Sequence, residues 1–174
     1  MRKAMHALAL LPAFAAAVCL AQGAGPNDAQ IAAIVVTANQ VDIEAGELAK
    51  SKARNKEVAA FAQQMITDHG GVNQQAKALV TKLHVTPEAS DTSRALQRGG
   101  DDNVAALRKL TGAEFDRAYV VHEVAYHQQV IDALDKTLIP SAQNADLKAL
   151  LVKVRPAFVA HLEHAKHMEG SLPK

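Results

Sequence analysis

Apolar residues recur at alternating steps of three and four positions along four segments of the chain, within residues 31–48, 58–83, 120–138 and 147–168. This spacing places the apolar side chains of each segment on one face of an α-helix. The alternation of apolar and polar residues that is typical of half-buried strands is missing from these segments. A seven-residue apolar repeat also favours helices that pack side by side at shallow angles. The pattern therefore predicts an all-α protein with four main helices.

Capping and helix-breaking residues indicate where two of these helices begin and end. Thr111 is followed three residues later by Glu114, which is a capping-box pattern at the start of the third helix. Pro140 ends that helix, because proline lacks the backbone N–H that helix interiors need. Either Ser141 or Asn144 then caps the start of the fourth helix.

A long connection, residues 86–110, separates the second predicted helix from the third. We expect two short helical pieces in it, broken at Gly99 and Gly100. A helical bundle with one long connection is a known arrangement. The sequence therefore predicts a four-helix bundle with a long, partly helical connection between helices 2 and 3.

Two predicted helix interiors contain residues that helices disfavour. Gly70 and Gly71 lie within the second helix, and Pro156 lies within the fourth, where it is expected to kink the chain. Such positions often mark functional places, although simple curvature of a long helix is the other interpretation.

The first residues have the features of an export signal. The stretch "MRKAMHALALLPAFAAAVCLAQGAG" has two basic residues, then an apolar run, then small residues. We expect cleavage after Ala21, Gly23 or Ala24, which leaves residues 25–174 as a single bundle domain in the periplasm or at the outer membrane. A retained membrane anchor is the alternative, but the apolar run is short for a span and contains Pro12.

Composition after cleavage narrows the possible partners and chemistry. The chain has 19 Lys and Arg against 18 Asp and Glu, and loss of Arg2 and Lys3 leaves 17 against 18. A net charge of −1 gives no electrostatic case for binding nucleic acid or anionic lipid. Cys19, the one cysteine, leaves with the signal, so the exported chain has neither a disulfide nor a thiolate ligand.

The helical period also predicts the direction of each histidine. His127 and His161 fall on the apolar stripes of the third and fourth helices, and His69 flanks the stripe of the second. His127 and His161 are therefore expected inside the bundle, and His69 can reach its interior or its rim. His164 lies at the edge of its stripe, and His167 points towards solvent.

Acidic residues near these histidines complete a predicted site. On the first helix, Glu44 is the acid nearest the stripe, whereas Asp42 lies further round and Glu47 points out. Glu123 precedes His127 by four residues and shares its side of the helix. The predicted metal-ligating or adjacent residues are Glu44, Asp68, His69, Glu123, His127 and His161.

Several imidazoles and carboxylates inside an aliphatic bundle need partners, because unpaired buried polar groups are costly. A metal ion held between facing helices is one solution. A hydrogen-bonded polar layer without metal, or unrelated histidines, are the alternatives. Imidazole and carboxylate ligands without thiolates suit Zn, Fe, Mn, Cu or Ni. The chain has no Glu-x-x-His motif of the usual di-iron bundles, so a single ion is the better prediction.

A second stripe on the third helix has a separate interpretation. His122 lies there with Phe115, Tyr119 and Tyr126, on the face opposite the predicted site. Packing against residues 86–110 is the expected explanation, and contact with another subunit or with an envelope protein is the alternative.

Three stretches of the chain resemble the domain-of-unknown-function 4142 family. They are "FAQQMITDHGGVN", "LTGAEFDRAYVVHEVAYHQQVIDAL" and "RPAFVAHLEHA". The family pattern of Asp-His, Phe-Asp-x-x-Tyr, a downstream His and a final His-Leu falls on Asp68, His69, Phe115, Asp116, Tyr119, His127 and His161, and a first-helix Glu matches Glu44. The resemblance implies an exported bacterial protein, often labelled a putative membrane or outer-membrane protein, with a ferritin-like bundle. The resemblance implies little about chemistry. The chain departs from the family pattern at Gly70-Gly71, directly after the Asp-His pair.

Three functions are compatible with these features. The first is an exported metal-binding bundle that handles metal or protects against stress in the periplasm. The second is a metal-free envelope module that binds a partner protein, and the third is an oxidoreductase that uses the bound metal. The sequence has no Gly-x-Ser-x-Gly motif and no phosphate-cradling glycine loop, so no enzyme class follows from it.

Overall fold

The computed structural model describes residues 25–173, and the predicted signal segment lies outside them. Every regular element in this range is helical, which confirms the predicted all-α class. The helices are α1 (Asp28–Lys52), α2 (Lys56–Lys82), α3 (Asp91–Arg108), α4 (Gly112–Ala133), the three-residue α5 (Ile139–Ser141) and α6 (Ala145–Ser171), with a π-helical turn at Leu134–Leu138. Across residues 25–173, no helix is both long and apolar enough to cross a membrane.

Two helical hairpins form the core of the structure. Residues 53–55 join α1 to α2, which packs along it, and α4 and α6 pack together in the same way. The π-helical turn and α5 link α4 to α6, and the helical run ends at Ser141, directly after Pro140. The helix α6 continues through Pro156 without interruption. The helix α3 lies mainly against α1.

Carboxylates tie each hairpin to the turn of the other. Asp116, the fifth residue of α4, accepts hydrogen bonds from the backbone N–H groups of Arg54 and Asn55, at 3.0 and 2.8 Å. Asp28, in the first turn of α1, accepts from the N–H groups of Gln143 and Asn144, both at 2.9 Å. These bonds satisfy loop donors at both ends of the bundle and set the register of the two hairpins.

The predicted caps are partly correct. Asn144 caps α6 through its side chain, as one of the two predicted alternatives. Thr111 is the N-cap of α4, but its side chain makes no capping hydrogen bond, so the predicted capping box is wrong. Glu114 is exposed and points to solvent instead. Asp116, which lies in the same helix, instead holds the start of α4 against the turn between α1 and α2.

The connection between α2 and α4 contains one helix, not the two short pieces predicted from Gly99 and Gly100. The helix α3 runs through both glycines without a break. A Cβ atom on Gly100 would lie 2.6 and 2.7 Å from the two γ-carbons of Val41. Glycine is therefore needed here for the close approach of α3 to α1, and it does not end the helix.

The apolar core consists of two clusters separated by a polar layer. One cluster includes Ile31, Ile34 and Leu151, and the other includes Phe61, Phe115 and Met168. Between the two, each long helix of the hairpins contributes buried polar residues, which are Asn39, Asp42, His69, Asn73, Glu123, His127 and His161. A polar layer enclosed on both sides by aliphatic packing has little access to water.

Two glycine-to-alanine substitutions should have opposite effects on stability. No other part of the described structure approaches the Cβ position of Gly70, so Gly70→Ala should raise the free energy of unfolding by about 1 kcal/mol through helix propensity. Gly100→Ala should lower it by about 1–3 kcal/mol, because the new methyl group overlaps Val41. Chemical denaturation of the two variants measures both changes. Equal stabilisation by both would contradict the close contact between α1 and α3.

Candidate metal centre

Three histidines from three helices meet at the centre of the polar layer. His69 of α2, His127 of α4 and His161 of α6 are each no more than 2% exposed. Their ring centroids lie 5.3 to 5.5 Å apart in all three pairs. One nitrogen from each ring comes within 4.8 Å of the others. The predicted inward directions of His127 and His161 are therefore confirmed, and His69 joins them.

Each imidazole uses one nitrogen to bind an acceptor on its outer side. His69 Nδ1 lies 2.7 Å from Asn39 Oδ1, His127 Nδ1 lies 3.0 Å from the Glu123 carbonyl oxygen, and His161 Nε2 lies 2.9 Å from Asp68 Oδ2. All three partners are acceptors, since the Asn39 amide nitrogen is already bonded to the Val35 carbonyl at 2.8 Å. The N–H of each neutral ring therefore points outward, and the lone pair of its other nitrogen points inward.

The inward nitrogens have no hydrogen-bond partner within the described chain. They are His69 Nε2, His127 Nε2 and His161 Nδ1. Phe158 stacks on His69 with an interplanar angle of 4° and a centroid distance of 5.0 Å, which fixes the plane of that ring. Three oriented lone pairs in a dry layer can act as ligands for a cation.

Asp42 of α1 completes this arrangement. The residue is 1% exposed, and its Oδ2 lies 2.9 Å from His69 Nε2 and 3.5 Å from His127 Nε2. Neither carboxylate oxygen accepts a hydrogen bond from the described residues. A carboxylate oxygen and an imidazole lone pair at 2.9 Å repel each other unless a proton or a metal ion lies between them. Ligands that bind one metal at about 2.0–2.2 Å are themselves separated by roughly 3 Å, which matches this distance.

The electrostatics of Asp42 fit a cation site. Burial raises the pKa of this carboxyl, but the positive charge that His69, His127 and His161 carry when protonated, together with the hydrogen bond that His69 then donates, outweighs burial and leaves the pKa below its ordinary value. Asp42 is therefore a carboxylate at neutral pH. Burial, together with a smaller contribution from the other imidazoles, lowers the pKa of His127 to about 4, so this ring is neutral and free to donate its lone pair.

Glu123 lies beside this carboxylate in the opposite protonation state. The residue is 1% exposed, and burial followed by the charge of Asp42 raises its pKa well above the ordinary value. Its Oε2 lies 3.4 Å from His127 Nδ1, and Asp42, Glu123 and His127 form a second group of close ligand atoms. Glu123 can donate its proton to Asp42, or lose the proton and become a further ligand when a cation arrives.

The position of the acid on α1 corrects the prediction from sequence. Asp42 was expected to lie away from the apolar stripe and Glu44 near it, whereas Asp42 is buried at the centre. Glu44 is half-buried and binds the side-chain amide of Gln40 at 3.0 Å. The helix α1 has a second buried stripe that the prediction missed, made of Ala32, Val35, Asn39, Asp42, Gly46 and Ala49. Because Asn39 and Asp42 in this stripe are polar, the spacing of apolar residues alone did not reveal it.

Asp68 connects the histidine cluster to the surface. Its side chain is 40% exposed, and it binds the fully buried His161. A cavity of about 380 Å³ between α2 and α6 is lined by both residues and by Gly71. This rim cavity gives a cation a path to His161 that does not pass through the aliphatic clusters.

The other predicted histidine positions agree with the structure. His167 is exposed as expected. His164 is also exposed, and its ring centroid lies 5.1 Å from that of Phe61 in an edge-to-face arrangement. His122 is half-buried and stacks on Tyr126 at 5.7 Å, away from the site. Phe115 and Tyr119 of the second stripe are fully buried, and they share an apolar cluster with Leu107 of α3, as packing against the connection requires.

The low pKa of His127 should make the metal-free protein sensitive to acid. Between pH 6.5 and 4, the unfolded chain takes up a proton at this position and the folded chain does not, so stability falls as the pH is lowered. Wild type should lose about 3 kcal/mol more than His127→Gln over this interval. Urea denaturation with chelator at several pH values measures the difference. His167→Gln is the control and should follow wild type, and parallel curves for wild type and His127→Gln would contradict the buried neutral ring.

Comparison with known proteins places the chain in one family. No curated protein and no solved structure matches it. A family model described as a domain of unknown function, DUF4142, matches residues 13–168. This match includes all three converging histidines, Asp42 and Glu123, and it covers most of the chain. The protein therefore belongs to the DUF4142 family.

Proposed function

We propose that the protein binds a single transition-metal ion through His69, His127, His161 and Asp42, and that it works in the periplasm in metal handling or stress protection. The orientation of the three imidazoles supports this proposal most strongly. Each ring has an acceptor on its outer side, the inner nitrogens of His69 and His127 lie 2.9 and 3.5 Å from Asp42, and one nitrogen from each of the three rings lies within 4.8 Å of the others. Such outer acceptors are the usual partners of metal-bound histidines, where they fix the ring and the tautomer.

A metal-free polar layer would lack protons for this geometry. The unpartnered atoms around the three rings are the inner imidazole nitrogens, the oxygens of Asp42 and Glu123, and the Tyr119 hydroxyl. The Tyr119 proton can serve Glu123, and a proton shared between His69 and Asp42 can serve that pair, but His127 Nε2 and His161 Nδ1 remain acceptors when their rings are neutral. The proton of Glu123 can serve one of them. Each buried acceptor left without a partner costs about 1–3 kcal/mol. One divalent cation satisfies the three nitrogens and Asp42 together.

The ligand chemistry limits the class of metal. Three imidazoles and a carboxylate suit Zn, Fe, Mn, Cu or Ni, and they lack the all-oxygen shell that Ca²⁺ or Mg²⁺ prefers. The two groups of close ligand atoms share His127, which favours one ion over two. Asp42 contributes one negative charge, and Glu123 contributes a second if it loses its proton. The site can then neutralise a divalent cation within the apolar core.

The ferritin-like bundle belongs to the same proposal. The four ligand residues come one each from α1, α2, α4 and α6, the helices of the two hairpins. The helix α3 then occupies the long connection that crosses from one hairpin to the other. A cation at the centre would bind all four helices of this core at once.

Metal binding should appear as a gain in thermal stability. A metal that binds only the folded state, at about 100 times its dissociation constant, stabilises by roughly 2.7 kcal/mol. For a chain of this size, this corresponds to a rise in melting temperature of about 5–10 °C. Thermal unfolding with chelator, and then with Mn²⁺, Fe²⁺, Ni²⁺, Cu²⁺ or Zn²⁺, measures the rise. Elemental analysis after mild purification identifies the resident metal.

Two acids on α1 provide a matched control for this measurement. Asp42→Asn should abolish most of the metal-dependent rise, whereas Glu44→Gln should keep it. His127→Ala and His161→Ala should abolish it, and His167→Ala should not. The rise should also fade below about pH 6, where imidazoles bind protons in place of metal. If no metal changes the melting temperature of wild type, the site is a polar layer and the metal-free envelope function is favoured.

Export is the second part of the proposal, and it rests on the basic, apolar and small-residue regions of residues 1–24. Expression of the full chain in a bacterium should give a mature protein in the periplasmic or outer-membrane fraction. N-terminal sequencing should start between residues 22 and 26. Intact Met1 on protein recovered from the inner membrane would instead make the first segment an anchor.

A further inference from the structure

A second cavity lies on the other side of His69, between α1, α3 and α4. Its volume is about 520 Å³. The lining residues on α3 and α4 include the exposed Ala95, Gly99 and Gln129, whereas Leu151 and Val154 of α6, deeper in the bundle, are buried. The cavity therefore opens between α3 and α4 and reaches the interior of the bundle. We call it the α3–α4 cavity.

Two departures from regular helix geometry shape the walls of this cavity. Gly100 allows α3 to contact Val41 of α1, which closes one side. The π-helical turn contributes Leu134 and Leu138 to the opposite wall. Turns of this type occur frequently at functional sites. A sealed empty space of this size would cost free energy comparable with the whole stability of a domain. We therefore interpret it as an open binding cavity and not as a packing defect.

The lining chemistry defines what the α3–α4 cavity can hold. None of the described residues that line it is Asp, Glu, Lys or Arg, and most are aliphatic. A carboxylate or an ammonium group would enter without a counter-charge, which is unfavourable in an apolar site. Known small-molecule sites combine a similar volume and apolar lining with a few polar groups. An uncharged and largely apolar molecule matches these properties.

Among the polar side chains that line this cavity, Thr92, Gln129 and Thr137 are exposed at its rim, and His122 lies deeper. His122 is half-buried, lines the cavity and stacks on Tyr126. The Tyr126 hydroxyl already donates to the Ala38 carbonyl at 2.8 Å, whereas the ring nitrogens of His122 make no hydrogen bond within residues 25–173. A neutral imidazole offers one hydrogen-bond donor and one acceptor to a ligand.

We propose that the α3–α4 cavity binds an uncharged, largely apolar small molecule, with His122 as its hydrogen-bond partner. The site is separate from the metal ligand atoms and goes beyond the proposed metal function. It also touches the outer edge of that centre, because Asn39 and His69 line its wall. A ligand in the cavity would therefore contact the hydrogen bond that orients His69.

Titration with N-phenyl-1-naphthylamine, an uncharged apolar fluorophore, tests the proposal. The assay uses the purified protein in chelator, so its outcome does not depend on metal binding. Wild type should bind the probe saturably with one site per chain. Dodecanoate, which has an apolar chain and a negative charge, should displace it poorly. Uncharged dodecanol should displace it well.

Two exposed alanines on α3 provide a matched pair of variants. Ala95 lines the opening, and Ala105 lies outside the cavity on the same helix. Ala95→Trp should weaken probe binding at least tenfold, and Ala105→Trp should leave it unchanged. Circular dichroism and melting temperature verify that both variants fold. Ala133→Phe narrows the opening from α4 and should repeat the loss if Ala95→Trp is poorly folded.

Three outcomes would overturn the proposal. The first is non-saturable probe binding to wild type, or equal affinity in folded Ala95→Trp and Ala105→Trp. The second is stronger displacement by dodecanoate than by dodecanol, which would exclude an uncharged ligand. The third is a wild-type dimer that binds no probe and dissociates on Ala95→Trp, which would assign the opening to a second copy of the chain.

Discussion

A buried carboxylate that needs a proton or a cation beside it is the constraint on which the rest of this structure depends. Asp42 is 1% exposed, and its Oδ2 lies 2.9 Å from His69 Nε2, so a proton or a cation has to lie between these two atoms. The surrounding helices nonetheless hold it there with two apolar clusters above and below. A fold that keeps this charge dry must supply a cation or a proton at the same place. The hydrogen bonds on the outer side of the three imidazoles leave their other nitrogens available to that proton or cation.

Much of the fold follows from the sequence because helical period dominates it. The apolar stripes of α4 and α6 are regular, so the directions of His127, His161 and His167 could be predicted from spacing alone. The helix α1 was harder, because it is buried on two sides, against α2 and against α3. A helix enclosed in this way has no single apolar stripe. The stripe that contains Asp42 could be found only once the position of α3 was known.

Two glycines show the same limit of prediction from sequence alone. Gly70 and Gly100 both lie in helices, but nothing else approaches the first and Val41 lies directly against the second. Sequence cannot separate these cases, because the difference depends on which helix is the neighbour. The capping box at Thr111 failed for a similar reason, since a carboxylate from within α4 binds the adjoining turn. Local rules located these elements, and tertiary contacts determined their details.

The origin of the proposed ligands has a consequence for when a metal could bind. Asp42, His69, His127 and His161 come from four different helices, and no two of them are neighbours in the chain. An extended polypeptide therefore offers no high-affinity pair of ligands, and the site exists only after both hairpins have docked. A chain that crosses a membrane unfolded would carry no ion with it. The identity of the bound metal would then be decided by supply in the compartment where folding finishes, and not by supply where the chain is synthesised.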